Sequence, residues 1–87
     1  MSLVKIGRAR LALALPGHRE LLRSIKHRQL DDLFEDYAVA AMAFDKFLRE
    51  VPRTEELVRE YESICLDMQA EAVALLARLE KTPDKTN

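Results

Sequence analysis

His27, Asp31 and Glu35 stand at four-residue intervals in the 87-residue chain. On a helix that spacing puts one imidazole and two carboxylates on a single face, a donor set that could hold a metal ion. The surroundings do not build on it. Bundle di-metal centres add a Glu-x-x-His pair, which is lacking here, and His18 lies too far along to join easily. A solvated histidine–aspartate helix pair accounts for the spacing, and no metal or other cofactor is expected. Asp31, Asp32, Glu35 and Asp36 form an acidic run on the same stretch. Catalytic carboxylates need a cleft that shifts their pKa, and water screens an exposed helical run. Cys65, the single cysteine, falls at a core position of the helical repeat described below and reads as a small buried apolar residue with no base beside it. The expectation is a non-enzymatic protein with no small-molecule substrate.

Basic residues offer a different chemistry. Arg19, Arg23, Lys26 and Arg28, with Lys5, Arg8 and Arg10 before them, are a candidate anion-binding set. Residues 1–28 carry a net charge of +6 and the remainder −7, for a total of −1. Such asymmetry points either to an acidic partner, nucleic acid or an anionic membrane, or to self-pairing within the hairpin or with a second copy. The basic section has no Tyr, Phe or Trp to stack on bases, no zinc-finger spacing and no short helix-turn-helix. Self-pairing is therefore the leading reading, and a salt-sensitive electrostatic binder of nucleic acid or membrane is the alternative.

One cysteine makes no intramolecular disulfide, so a reduced cytoplasm is the expected location. The apolar run Leu11–Leu15 follows Arg8 and Arg10 but falls short of the roughly 7–15 residues of a signal-peptide core. Nothing approaches the roughly 18 apolar residues of a membrane span.

The elements that would position these groups are helical. Gly and Pro are scarce while Leu, Ala, Glu and Arg are abundant. Apolar residues recur at Leu30, Leu33/Phe34, Tyr37, Ala40/Ala41, Phe44, Phe47/Leu48 and Val51, within an arc of roughly 140° on a helix. That stripe is wide enough to need more than one partner. Pro16-Gly17 marks a break, after which Arg19 to Glu50 contains neither Gly nor Pro, and the spacing predicts one helix over about 19–50. Asp45/Arg49 and Lys46/Glu50 would pair on its outer face. Val51-Pro52 ends it, and Thr54 is a candidate N-cap for a second helix over about 54–81, with Glu55 and Glu56 in its first turn. This second helix carries a heptad with Val58, Cys65, Ala72 and Leu79 at a and Tyr61, Met68 and Leu75 at d.

The expected fold is all-α: a long antiparallel, coiled-coil-like hairpin over residues 17–81, with a short N-terminal arm or helix over 1–16 and a polar tail over 82–87. Cys65 should face the region near Ala40 and Ala41. The apolar residues of segment 3–15 scatter around a helical projection without an evident face. A lone hairpin would leave the flanks Leu33, Ala40, Phe47, Leu57 and Ile64 wet, so two hairpins are expected to pair as a four-helix bundle. Its interface would use Leu30, Leu33, Phe34, Tyr37, Phe44, Phe47, Leu57, Tyr61, Ile64, Met68 and Leu75. Val39, Met42, Leu66 and Val73 lie off the main stripes and mark a further contact surface. A homodimer is favoured, and a larger helical partner would bury the same side chains.

The segment Leu15-Pro16-Gly17-His18-Arg19-Glu20-Leu21-Leu22-Arg23-Ser24-Ile25-Lys26 resembles the opening of the YdcH-like family of short bacterial proteins, in which Phe-Pro-Glu-(aromatic or His)-Arg-Glu leads to a Leu-Lys pair. Leu33-Phe34-Glu35-Asp36-Tyr37 is similar to that family's hydrophobic-acidic-Tyr stretch. The spacer between the blocks is shorter than the family's. Ala40-Ala41 replaces a Leu-Asp pair, and Cys65-Leu66-Asp67-Met68 lacks the lysine of the family's Leu-Lys-Asp-Glu stretch. The resemblance implies a small helical hairpin that self-associates, and implies no activity.

Overall fold

The computed structural model describes residues 2–81. Among them are four α-helices, α1 (Leu3–Ala14), α2 (Arg19–Ser24), α3 (Arg28–Arg49) and α4 (Glu55–Lys81), with one 3-10 turn at Pro16–His18 and no strand. The chain is all-α. The polar tail anticipated at Thr82–Asn87 lies outside the described residues. No helix among the described residues is long and apolar enough to cross a membrane.

The chain reverses between α3 and α4. Phe47 stacks on Tyr61 with ring centroids 5.3 Å apart, and Gln69 Nε2 donates to Tyr37 Oη at 3.0 Å. The falling residue number on α4 as that on α3 rises shows that the two helices are antiparallel. Helix α4 begins at Glu55, which places Thr54 at the N-cap position and both glutamates in the first turn, where the positive end of the helix dipole favours them. The heptad sets the face: Val58, Cys65, Ala72, Leu75 and Leu76 are buried, while Tyr61, Ile64, Met68 and Leu79 are half-buried.

Segment 3–14 is a helix, and it packs on α3 more extensively than α4 does. Ser2 caps it, accepting from the Lys5 amide at 3.2 Å. Its inward face is Val4, Gly7, Leu11 and Leu15, spaced three, four and four residues apart. Gly7 is the crossing point. A Cβ built there would lie 1.7 Å from the Phe34 carbonyl oxygen and 2.4 Å from its carbon, so the two backbones meet as closely as glycine allows. Arg8 pairs with Asp31 and Arg10 with Asp45, so the contacts ascend both helices together and α1 runs roughly parallel to α3.

Residues 19–50 do not form one helix. Helix α2 stops at Ser24, Ile25 is extended, and α3 starts at Arg28 behind His27, whose Nδ1 accepts from the Gln29 amide at 3.2 Å. Neither Gly nor Pro causes the break. The Ser24 hydroxyl donates back to the Glu20 carbonyl at 3.0 Å, and Arg8 Nη1 donates to the carbonyls of Leu22 (3.0 Å), Arg23 (3.1 Å) and Ile25 (3.0 Å). A cation from another helix thus satisfies acceptors that a continuing helix would have occupied. Glu50 lies past the end of α3, and Asp45 turns to Arg10, so the anticipated Asp45/Arg49 and Lys46/Glu50 pairs on one helix face give way to a tertiary contact.

Helix α3 is therefore central, with α4 along one side of its stripe and α1 along the other. The stripe's width has its explanation inside one chain. Leu33 and Ala40 are buried and Phe47, Leu57 and Ile64 half-buried without a second copy, which corrects the expectation that these flanks stay wet. Leu22 from α2 completes a continuous core with Leu11, Leu30, Phe34, Ala72 and Leu76.

Candidate functional site

Two clefts flank α1, one against α2 and one facing α4. The first is basic. Lys5, Arg8, Arg19 and Arg23 line a cleft of about 330 Å³ together with Ala9, Ala12 and Leu13. It continues past Ser2 and Val4 to Lys26 and Asp31 in a second depression of about 500 Å³ that shares Lys5, Arg8 and Arg23. Three members of the sequence-derived anion set, Arg19, Arg23 and Lys26, are brought together here by the Pro16–His18 turn, which folds α2 back along α1. Arg28 is exposed at the start of α3 and lines neither depression.

Arg8 differs from its neighbours because the fold uses it. Its guanidinium gives Nη1 to three carbonyls, sets Nη2 3.8 Å from Asp31 Oδ1, and lies 4.9 Å from the centroid of the Phe34 ring. One cation thereby caps α2, where the helix dipole favours positive charge, and covers an aromatic face. A lysine in its place presents a compact ammonium without a planar fork. Arg8→Lys is expected to cost about 2 kcal/mol, the range for losing charged hydrogen bonds. Thermal unfolding measures the loss, and faster amide exchange confined to residues 19–25 locates it.

The second cleft is a groove over α3 between α1 and α4, two helices that scarcely touch each other. One part, about 310 Å³, is lined by Arg10, Tyr37, Asp45, Glu62, Cys65 and Leu66 among others. An adjoining part is bordered by Arg10, Leu13, Ala14 and Tyr37. Ala41 lies in the same groove as Cys65, the neighbourhood that an antiparallel register requires. Arg10 Nη2 donates to Asp45 Oδ2 at 2.7 Å across its rim. Both partners are about a third exposed, so the pair contributes at most about 1 kcal/mol. Leu13 on α1 is 73% exposed and Leu66 on α4 is 56% exposed.

The groups that suggested catalysis or metal binding do not converge. His27 leaves the helix as an N-cap, so the shared face with Asp31 and Glu35 is lost, and among the described residues no three His, Cys, Asp or Glu side chains form a metal-holding group. Asp32, Glu35 and Asp36 are exposed, and the half-buried Asp31 faces Arg8. Burial pushes the Cys65 thiol above its usual range, Asp45 adds to that, and Arg10 opposes it. A thiol so placed is a poor nucleophile.

Of the residues assigned to an interface, Leu30, Leu33, Phe34, Tyr37 and Leu75 are buried within one chain, and Phe44, Phe47, Leu57, Tyr61, Ile64 and Met68 are half-buried. Tyr37 and Phe44 also line the groove between α1 and α4. Large apolar side chains left exposed include Val39, Met42 and Leu66, which the sequence marks as lying off the stripes, together with Leu13, Leu48 and Val51. The sequence reading missed Gly7, Arg8 and Arg10 as organising residues. The signal for them was the Val4-Gly7-Leu11-Leu15 spacing, visible once glycine counts as part of a packing face. Comparison with protein-family models, curated proteins and solved structures finds no match.

Proposed function

We propose that this chain is a small, non-catalytic helical interaction module that pairs with a second copy of itself through the groove between α1 and α4. The observation that carries the reading is Leu66, more than half exposed on a wall of a groove whose two flanking helices barely meet. Three helices around that groove are a four-helix bundle short of one member. At 100° per residue, Leu3, Ile6 and Leu13 form a second apolar stripe on α1, away from α3, while Leu66 and Val73 form its counterpart on α4. Arg10 stands on the α1 wall, Glu62 on the α4 wall and Asp45 beside them, so a two-fold operation can bring opposite charges together. The likeness of residues 15–26 to the YdcH-like family, and a reducing cytoplasmic setting for the lone Cys65 thiol, belong to the same proposal.

Leu66→Glu tests it. The side chain contributes little to the isolated fold, whereas burying it in a symmetric contact is worth about 1.5–3 kcal/mol in each copy. Light scattering at 10–200 μM is expected to give a dimer mass for the wild-type chain and a monomer mass for the variant, with helicity unchanged. A wild-type monomer at the highest concentration overturns the proposal.

A further inference from the structure

We propose that the basic cleft between α1 and α2 is a docking site for a membrane surface carrying anionic phospholipid. The argument begins with unpaired charge. Among the described residues, Lys5, Arg19, Arg23 and Lys26 enter no ion pair, although all four are exposed around one continuous depression. The fold holds them close despite their repulsion, because α2 is fastened to α1 through Arg8 and the buried Leu22. Asp31 is the one acid in the lining and Arg8 faces it. Glu20, the single acid of residues 1–28, lines neither part of the cleft. A cluster of this kind attracts anionic headgroups, and each Lys or Arg near such a surface strengthens binding about fivefold.

Two observations favour a lipid surface over nucleic acid. The basic residues share the cleft's lining with Ala9, Ala12 and the largely exposed Leu13, and an exposed leucine among cations suits the aliphatic boundary beneath a phosphate headgroup. The lining holds no aromatic side chain on which a base could stack.

The test is co-sedimentation of the full chain with phosphatidylcholine vesicles, with and without about a third phosphatidylglycerol, at low and high salt. The expected result is at least tenfold preference for the anionic vesicles, abolished at high salt. The double variant Arg19→Glu, Arg23→Glu is expected to weaken binding at least 25-fold. Arg49→Glu with Arg59→Glu makes the same change in net charge outside the cleft and is expected to weaken it less than threefold. These four arginines are exposed, and circular dichroism confirms that each variant folds. Leu13 also borders the groove assigned to a second copy, whereas Arg19 and Arg23 do not, so loss of dimerisation and loss of vesicle binding are read separately. Equal losses in the two double variants, tighter binding to a 20-base-pair DNA duplex than to the vesicles, or no binding at low salt each overturns the proposal.

Discussion

Gly7→Ala is expected to lower the melting temperature by about 10–20 °C, the shift that 2–3 kcal/mol produces in a domain of this size. An alanine in mid-helix ordinarily gains about 1 kcal/mol over glycine. Here its methyl group would enter the backbone of Phe34, with the carbonyl oxygen at 1.7 Å, the carbon at 2.4 Å and Cα at 2.8 Å. None of these atoms can rotate away as a side-chain tip would. Helix α1 must therefore lift from α3 along its length, loosening Leu11 and the Arg8 contacts as it goes. The cost exceeds the propensity gain, in line with overpacked cores. Gly17→Ala is the internal control. Nothing lies within 4 Å of the Cβ position and the backbone φ is not positive, so that change is expected to raise stability by about 0.4–1 kcal/mol. Thermal unfolding of both variants by circular dichroism checks the pair. A neutral Gly7→Ala would mean that the α1–α3 crossing is not as close as the structure has it.

That crossing also explains which parts of the molecule could be read in advance. The α3–α4 hairpin was legible because its cues are local: an unbroken helical period on each side of Pro52, a threonine and two glutamates at the start of α4, and a heptad through Val58, Cys65 and Ala72. Its antiparallel register followed from the short loop. Helix α1 was opaque for a physical reason. It is apolar on two sides, with Val4, Leu11 and Leu15 facing inward and Leu3, Ile6 and Leu13 on the opposite flank, so the residues average to no face when plotted together. Gly7, its closest contact, has no side chain to register in a hydrophobic pattern.

The break at residues 25–27 was opaque for another reason. Its C-terminal cap comes from Arg8, which is 14–17 residues distant in sequence, and no local signal announces a cap supplied by a different helix. With α1 left out, the wide stripe of α3 demanded a second molecule, whereas Leu30, Leu33, Phe34, Tyr37 and Leu75 are already buried within one chain. The basic set fared better, since Arg19, Arg23 and Lys26 do gather in one place. Lys5 joins them only because α1 is a helix.

Phe34→Ala separates core from interface most sharply, because Phe34 was a candidate for the latter and is fully buried in the former. Removing a buried phenyl ring typically costs about 3–5 kcal/mol. The Arg8 guanidinium over the ring loses its partner as well, a further contribution of about 0.5–2 kcal/mol. A domain of this length has little more than about 5–8 kcal/mol in total, so the variant is expected to be largely unfolded at 37 °C. The decisive feature is where the loss is felt. If Phe34 belongs to the single-chain core, urea unfolding at protein concentrations where the wild-type chain is monomeric shows the full destabilisation, and raising the concentration does not restore it. If Phe34 instead faced a second copy, the dilute variant would melt like the dilute wild type and only association would suffer. Leu66→Glu is expected to show the inverse pattern, with monomer stability within about 0.5 kcal/mol of wild type, as for other surface changes, and association lost. Those two outcomes together would assign α3's wide stripe to α1 and α4, and would place the proposed self-association in the α1–α4 groove.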